Sequence, residues 1–341
     1  MNVDRLVDVE RGGYIESSHS GHIAVVDREG KLLYSCGNPG RHTFARSSMK
    51  PLQAIPLIET GAAAYFTMDA ADISLACASH SGELQHTSRV QDILKRLGME
   101  TDGLKCGIHP PRWKEAYEEV VKTEQPITPI YNNCSGKHSA MLATAKYMGE
   151  SAEDYYLLDH PVQQRILEVI SDLAEIPADE IEIGIDGCGL PVHGIPLDRL
   201  AMSFAKMAQP DRFPEKRRQA IETVTSSMMA APEMVGGTDR FCTDFMKVMG
   251  GRMFGKAGAE GVYCIGDLET GLGIAIKIED GNGRAAYPAA VEVLKQLDLL
   301  TEQQEQQLAS YHVPKLRNAR EEVIGHLKPA FTLKNASCIL S

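Results

Sequence analysis

The stretch Arg46-Ser47-Ser48-Met49-Lys50-Pro51 decides how the rest of the chain is interpreted. Residues three apart on a helix share a face, so Ser47 and Lys50 are expected to lie within reach of each other, whereas Ser48 and Lys50 are not. A serine hydroxyl becomes a strong nucleophile when a neighbouring amine takes its proton. This spacing is the S-x-x-K pattern of serine acyl-transfer enzymes. Taken alone the pattern is weak, because a serine that caps an apolar helix looks the same.

Pro51 indicates where the helix begins. Proline lacks an N–H and clashes with the carbonyl four residues back, so a helix tolerates it in the first turn only. We therefore expect the helix to begin at Ser47 or Ser48, with the hydroxyl at an N-terminus that favours negative charge. The bias of the residue before a proline against α conformation argues the other way. The segment 52–58 is apolar almost all round, which predicts a buried helix that is kinked at Pro56.

Composition and charge exclude several classes of partner. The 341 residues are 43% hydrophobic and 24% charged, as in an ordinary globular protein. The formal net charge is −11 and the longest basic run is Lys216-Arg217-Arg218, so nucleic acid and anionic membrane are poor partners. The sequence shows no apolar leader and no stretch of about 18 apolar residues, which predicts a cytoplasmic protein. Its eight cysteines are then expected to be reduced thiols or metal ligands.

Hydrophobic periodicity and turn residues predict the order of elements. The predicted elements are a β-hairpin over 22–36, a helix over 87–97, a long irregular connection over 103–131, a helix that ends at Gly149, a helix near 161–175, a short strand over 181–185, helix over 198–229, strands over 262–265 and 271–278, a helix over 288–297 and a strand over 323–331. This order predicts one domain of the α/β (α+β) class over 1–341. An antiparallel sheet subdomain would come from both chain ends, 1–45 plus 255–341, with a mainly helical subdomain, 46–254, inserted. The organisation resembles the serine β-lactamase and penicillin-binding fold, and Lys256-Ala257-Gly258 stands where that fold carries K-T-G.

Six motifs in one order resemble the asparaginase II family, the Rhizobium-type L-asparaginases, over essentially the whole chain. They are Arg11-Gly12-Gly13 with Glu16-Ser17, Ser47-x-x-Lys50, Ala78-Ser79-His80-Ser81-Gly82-Glu83, Asn133-Cys134-Ser135-Gly136-Lys137-His138, Asp186-Gly187-Cys188-Gly189-Leu190-Pro191 and Lys256-Ala257-Gly258-Ala259-Glu260-Gly261.

The resemblance implies a β-lactamase/glutaminase-like fold, a homodimer, and hydrolysis of L-asparagine to aspartate and ammonia. It further implies that Ser47 is the nucleophile with Lys50 as its base, and that Ser79 and Lys256 form a second Ser/Lys pair. A metal site, generally zinc, would be formed by three residues: Cys134, Lys137 and Cys188.

The chemistry of amide hydrolysis is compatible with these residues. Lys50 can accept a proton only when it is neutral, and lowering its pKa from about 10.4 to about 7 costs roughly 4–5 kcal/mol, which burial and a neighbouring positive charge could supply. Lys256 is a candidate for that neighbour, and Ser79 could relay the proton. Candidates for binding the carboxylate and ammonium of the substrate are Arg46, His138 and Asp186.

Simpler interpretations exist for several of these residues. The spacing Cys134-x-x-Lys137 with Cys188 matches no common zinc signature, because lysine is charged at neutral pH and seldom a ligand. A P-loop around Lys137 is rejected, because Tyr131 stands where glycine is required. His109 is expected to be structural. The remaining cysteines are interpreted as small core residues: Cys36, Cys77, Cys106, Cys242, Cys264 and Cys338.

Two alternatives stay open beside the asparaginase hypothesis. One is a glutaminase or a β-lactamase-like serine hydrolase, which a comparison of ammonia release from asparagine and glutamine would separate. The other is a non-catalytic protein that binds zinc or an amide on the same scaffold. The intact Ser47/Lys50 pair argues against the second, since a sensor needs no poised base.

Overall fold

The structure is a computed structural model that describes residues 3–336. The chain divides into two units. The sheet unit comprises the chain up to Ser48, Ile195–Gln209 and the chain from Val248 onward. The helical unit comprises Met49–Gly194 and Pro210–Lys247. Cys338 lies outside the described residues.

The strands of the described chain are β1 (Asp4–Arg11), β2 (Tyr14–Val26), β3 (Leu32–Cys36), β4 (His42–Phe44), β5 (Glu182–Ile185), β6 (Pro191–Pro196), β7 (Met253–Gly258), β8 (Val262–Asp267), β9 (Gly273–Ile278), β10 (Lys315–Arg317), β11 (Val323–Pro329) and β12 (Lys334–Asn335). In the sheet unit the strand order is β10-β11-β1-β2-β9-β8-β7, and β3 pairs with β2 and β12. The pairs with a resolved register are antiparallel. Because β1 lies between β2 and β11, the predicted antiparallel sheet built from both chain ends is confirmed.

Turn chemistry explains the hairpins of this sheet. The predicted hairpin over 22–36 is confirmed: β2 and β3 pair, and the Asp27 N–H donates to the carbonyl of Lys31 across the turn. The hairpin of β1 and β2 was not predicted. Its turn uses Gly12 and Gly13, both with positive φ, a conformation that glycine adopts without steric cost.

The α-helices are α1 (Lys50–Gln53), α2 (Ile55–Glu59), α3 (Ala62–Tyr65), α4 (Ala70–Ala76), α5 (Leu84–Leu97), α6 (Lys114–Lys122), α7 (Ser135–Met148), α8 (Pro161–Ala174), α9 (Leu197–Ala208), α10 (Glu215–Ala230), α11 (Pro232–Val235), α12 (Phe241–Met249), α13 (Gly283–Gln296) and α14 (Glu302–His312). The predictions for α5, α7 and α8 are confirmed to within a few residues. Gly98 and Gly149 end α5 and α7 in the left-handed conformation, as helix C-caps commonly do.

The serine stretch is helical, but it begins differently from the prediction. A 3₁₀ turn covers Arg46–Met49, and the α-helix starts only at Lys50, with Pro51 in its first turn as expected. The start at Ser47 or Ser48 was therefore wrong for the α-helix. The predicted single kinked helix is also wrong, because Pro56 stands in the first turn of a new short helix, α2.

Three further predictions need correction. The connection over 103–131 contains α6, a short surface helix of which Val120 alone is buried. The helical stretch over 198–229 is two helices, because Pro210 and Pro214 interrupt it between α9 and α10. The helix predicted to begin at Pro288 begins at Gly283, where the Asn282 side chain caps the first turn.

Burial agrees with the cysteine interpretation. Within residues 3–336 the cysteines form no disulfide, and all of them are buried. The core role is thereby confirmed for Cys36, Cys77, Cys106, Cys242 and Cys264. In the described part of the chain no helix is long and apolar enough to cross a membrane.

Candidate active site

The two adjacent serines of the sheet unit differ in environment. Ser48 is fully buried, and its hydroxyl donates to the carbonyl oxygen of Ala45 at 2.7 Å. It is also hydrogen-bonded to the Cys264 thiol. Ser47 is half-buried, and its hydroxyl has no such partner within residues 3–336. The Ser48 hydroxyl is therefore held in buried hydrogen bonds, whereas within the described chain the Ser47 hydroxyl is not.

Strain marks the residue before the nucleophile candidate. Arg46 has a φ of 52°, a left-handed conformation that is uncommon outside glycine. Such conformations cluster at functional sites, where the surrounding structure enforces them. The Arg46 guanidinium lies 4.0 Å from the carboxylate of Glu260, a weak ion pair.

The strand β7 passes beside this serine turn in the sheet unit. Lys256 lies in β7 opposite Cys264 of β8, is 1% exposed, and donates to the carbonyl of Ala257 at 2.8 Å. At Gly258 a Cβ atom would lie 2.6 Å from the Ala45 carbonyl oxygen. Glycine is therefore required there, because any side chain would push β7 away from the serine turn.

Lys50 lies in the helical unit and is fully buried. Its Nζ donates to the carbonyl of Ala78 and lies 3.2 Å from Ser79 Oγ and 3.1 Å from Cys134 Sγ. The structure thus brings two of the predicted catalytic residues, Lys50 and Ser79, together with Cys134, a predicted metal ligand.

The segment that carries Ser79 is fixed by hydrogen bonds on both sides. The Ser79 N–H donates to the Val235 carbonyl at 2.9 Å, and Glu83 accepts from the N–H and hydroxyl of Thr238 at 2.7 and 3.0 Å. His80 Nδ1 accepts from the Gly82 N–H, so its Nε2 carries the proton and donates to Ser135 Oγ at 2.8 Å. His80 and Ser135 therefore tie the Ser79 segment to the loop that carries Cys134.

The predicted metal ligands also converge in the helical unit. Lys137 Nζ lies 3.3 Å from Cys188 Sγ, and the thiols of Cys134 and Cys188 are hydrogen-bonded to each other. All three residues are at most 5% exposed. A tight loop presents Cys188, because the Asp186 N–H and carbonyl bond to Leu190 and Gly189 at 2.8 Å each.

The charges in this cluster shift one another's pKa values. Burial lowers the pKa of the Lys50 amine, and the Lys137 charge lowers it further, against the opposing effect of Cys134. The hydrogen bond from Cys188 and the charges of both lysines hold the pKa of the Cys134 thiol well below its usual value in spite of burial. Burial alone would lower the pKa of Lys137, but Cys188, Cys134 and Asp186 outweigh it and raise that pKa. The arrangement therefore favours a thiolate at Cys134, an ammonium at Lys137 and a readily deprotonated amine at Lys50.

His138 follows Lys137 on α7 and is fully buried. Its Nδ1 lies 2.6 Å from the hydroxyl of Tyr155. Its Nε2 has no hydrogen-bond partner within the described residues. Burial and the charges of Lys137 and Lys50 hold the imidazole pKa well below its usual value, so His138 is neutral.

The donor set suits a zinc ion, which the family resemblance implies. Zinc prefers thiolate sulfur and neutral nitrogen, and the structure clusters two thiols with one amine. In residues 3–336 no group of three or more His, Cys, Asp or Glu side chains could hold a metal. A zinc site on Cys134 and Cys188 would therefore need Lys137 as its third ligand, in the neutral form.

Sequence reasoning missed several residues that shape the site. Tyr155 carried no signal, because it stands outside the recognised motifs and reaches His138 only through the fold. The motifs contained His80, Ser135 and Gly258, but their roles depend on contacts between distant segments. His109 is structural as expected, with Nδ1 donating to the Pro110 carbonyl at 2.8 Å and Nε2 accepting from the Asn133 N–H at 2.9 Å.

Comparison with known proteins gives one extensive match. Residues 7–329 match the family model described as L-asparaginase II. No curated protein matches the chain. Among solved structures, Mglu in its native form aligns at 12% identity and a TM-score of 0.45, over 83% of this chain and 65% of Mglu. This chain therefore spans less than two thirds of the length of Mglu.

A second solved structure is a β-lactamase from Mycobacterium bovis. It aligns at 13% identity and a TM-score of 0.41, over 86% of this chain and 95% of that protein. Both TM-scores lie below 0.5, so neither likeness supports a conclusion about this chain.

Proposed function

Because this chain belongs to the L-asparaginase II family, a family of amidohydrolases, we propose that it hydrolyses the side-chain amide of L-asparagine to L-aspartate and ammonia. The observation that carries the proposal is the buried amine of Lys50, with a lowered pKa, beside Ser79 and three residues along the chain from the half-buried Ser47. A buried neutral amine is a suitable base for a serine nucleophile.

The proposed reaction passes through an acyl-enzyme. Ser47 Oγ attacks the amide carbon and gives its proton to Lys50. The C–N bond then breaks while Lys50 returns this proton to the leaving nitrogen. Ammonia departs, and an ester to Ser47 remains. Water hydrolyses the ester to aspartate and regenerates the hydroxyl. Ser79 and Lys256 are proposed as the second pair, with Ser79 as a proton relay next to Lys50.

The substrate's charged groups need partners of opposite charge. We propose Arg46 for an oxygen of the substrate and Asp186 for its ammonium. His138 is proposed as a hydrogen-bond donor, because a neutral imidazole carries one N–H that can donate to an oxygen. It is therefore assigned to an oxygen as well.

Zinc is proposed as the metal, held by Cys134, Lys137 and Cys188. A bound zinc would supply a Lewis acid that polarises or orients the amide. The chain already offers Ser47 as nucleophile, so we expect the metal to help substrate binding and local order more than bond breaking.

The nucleophile assignment is tested with a matched pair of variants. Ser47→Ala is expected to lower turnover of L-asparagine by about 10⁴-fold or more, as loss of a nucleophile commonly does. Ser48→Ala changes the neighbouring hydroxyl and should stay active, at some cost in stability. Ammonia release is measured for both, with L-glutamine as the competing substrate. Near-normal turnover in folded Ser47→Ala would remove Ser47 from the mechanism, and a preference for glutamine would favour a glutaminase.

The metal assignment is tested by elemental analysis and chelation. We expect gently purified protein to contain zinc, and exhaustive chelation to raise the KM for L-asparagine more than it lowers kcat. Affinity should weaken as pH falls, because protons compete for the thiolates and the amine. Absence of a transition metal, or unchanged zinc content in Cys134→Ser/Cys188→Ser, would refute the assignment.

A further inference from the structure

We propose that Tyr155 is a positioning residue that fixes His138 as the tautomer with its proton on Nε2, so that this N–H binds a carboxylate oxygen of the substrate. The inference rests on the proposed function. It goes further by naming the group that prepares the donor and the substrate atom that the donor meets.

The hydrogen-bond directions around Tyr155 determine the tautomer. The backbone N–H of Lys105 donates to the Tyr155 hydroxyl oxygen at 2.9 Å, and an amide N–H cannot act as an acceptor. The buried hydroxyl proton also needs an acceptor, and within the described residues His138 Nδ1, 2.6 Å away, is the one that the hydroxyl contacts. Nδ1 must then be unprotonated, and the proton of the neutral ring lies on Nε2.

Packing holds this arrangement in place. Tyr155 and His138 are both 0% exposed. Their rings meet edge to face, with centroids 5.6 Å apart and planes at 84°. The backbone carbonyl of Tyr155 accepts from the Gln163 side chain at 2.8 Å, and this bond anchors the tyrosine to α8. The imidazole therefore has little freedom to rotate away from the hydroxyl.

The outcome is a donor without an acceptor. His138 Nε2 is buried and has no hydrogen-bond partner in the part of the chain that the structure describes. Buried donors are nearly always paired, and an unpaired one usually has a functional explanation. A ligand that brings an oxygen would satisfy it.

The strength of the hydrogen bond selects the kind of oxygen. L-asparagine, the proposed substrate, offers a charged acceptor in its carboxylate and a neutral one in its side-chain amide. A hydrogen bond to a charged acceptor is stronger than one to a neutral acceptor, so the buried Nε2–H is assigned to the carboxylate.

The test combines a spectrum with kinetics. Tyr155→Phe removes the hydroxyl and keeps the ring, and Tyr156→Phe makes the same change at the half-buried neighbour. With ¹⁵N-labelled histidine, the His138 signals among the eleven histidines are identified by their absence in His138→Gln. We expect protonated Nε2 and unprotonated Nδ1 in the wild type and in Tyr156→Phe, and a mixture of tautomers in Tyr155→Phe.

The kinetic arm separates binding from chemistry. Tyr155→Phe should raise the KM for L-asparagine about 3- to 10-fold, in the range expected for a weakened hydrogen bond to a charged group, with kcat within about twofold. Tyr156→Phe should leave both constants unchanged. Glutamine at position 138 places an amide donor near the Nε2 position and has no tautomers. In the His138→Gln background, Tyr155→Phe should therefore have little further effect.

Three results would overturn the inference: a wild-type spectrum with the proton on Nδ1, an unchanged KM in folded Tyr155→Phe, or a fall in kcat at constant KM. Should Tyr155→Phe not fold, the wild-type spectrum still decides. A wild type that releases no ammonia from asparagine would instead refute the proposed function and, with it, the carboxylate contact. The tautomer assignment would then stand or fall on the spectrum.

Discussion

Lys50 shows how the surroundings of a single side chain change its chemistry. An ammonium buried without compensation is unfavourable, so burial pushes the amine towards its neutral form and lowers its pKa. The nearby Cys134 sulfur opposes this shift and the Lys137 charge reinforces it. The same contacts place Ser79 within hydrogen-bond distance, where a proton can pass.

A base of this kind predicts a specific pH dependence. Because Lys50 must be neutral to accept a proton, kcat/KM for L-asparagine should fall as pH drops through its lowered pKa. Lys50→Arg should be nearly inactive, because arginine does not deprotonate in proteins. The measurement is ammonia release across pH 5–9, with a melting curve for the variant. An active, folded Lys50→Arg would exclude Lys50 as the base.

The residues proposed to carry the chemistry are those that the sequence motifs selected. The three-residue spacing selected Ser47 over Ser48, and the buried hydrogen bond of Ser48 to Ala45 supports that choice. The motifs also selected Lys50 and Ser79, which the fold brings together. What the sequence could not provide is conformation set by tertiary contacts, such as the positive φ of Arg46 or the Tyr155 hydroxyl that reaches His138.

At the scale of elements, the connection between α7 and the segment before α5 is the feature that organises the site. His80 and Ser135 lie directly next to Ser79 and Cys134, the two side chains that approach Lys50 Nζ. A second bond joins the same segments, because the His80 N–H donates to the Asn133 carbonyl at 3.3 Å. The distance between Ser79 and Cys134 is thus set by the hydrogen bonds of His80, which does not contact Lys50.

Ser135→Ala tests this connection. It leaves the buried His80 Nε2–H without an acceptor, which should cost about 1–3 kcal/mol of stability. It should also lower kcat by about tenfold and weaken zinc binding, because Ser79 and Cys134 would both move, and displacements of this kind are costly.

Ser139→Ala is the matched control. Ser139 lies on the same helix, is also fully buried, and donates only within the helix, to the Ser135 carbonyl at 2.9 Å. It should lose stability at most, with kcat and zinc affinity preserved. Equal losses of kcat in both variants, after correction for unfolded protein, would show that His80 and Ser135 have no positioning role.

Element boundaries were less predictable than the motifs. Local signals such as Gly98, Gly149 and the Asp27 turn gave correct ends, because each acts within a few residues. The strand β1 escaped prediction for a different reason, because one of its two partners, β11, lies far away in the chain and local periodicity does not report such pairing.

At the scale of the whole molecule, buried imidazoles link stability to pH. Burial lowers the pKa of several histidines, to about 4 in the case of His193; the others are His22, His80, His86 and His138. The unfolded chain takes up protons at about pH 6.5, whereas the folded chain does not. The unfolded state therefore binds more protons below that pH, and the free energy of unfolding rises with pH across this window.

We therefore expect the chain to be less stable at pH 5 than at pH 7. Each such histidine contributes up to about 1.4 kcal/mol per pH unit within the window. Urea unfolding at the two pH values measures the difference, and His80→Gln should reduce it, because one group that titrates only when unfolded is removed. Equal or greater stability at pH 5 would contradict the assignment of these rings as neutral.

The position of β1 has a consequence for how the chain is made. The strand is synthesised before both of its neighbours, β2 on one side and β11 on the other. Between Arg11 and Val323 lies nearly the whole chain, whose synthesis takes roughly 15–60 s at the usual rates of translation. During that time the free edge of β1 exposes unpaired backbone groups that could recruit another nascent chain. Slow translation or crowded polysomes should therefore increase aggregation, and chaperones that shield strand edges early should reduce it.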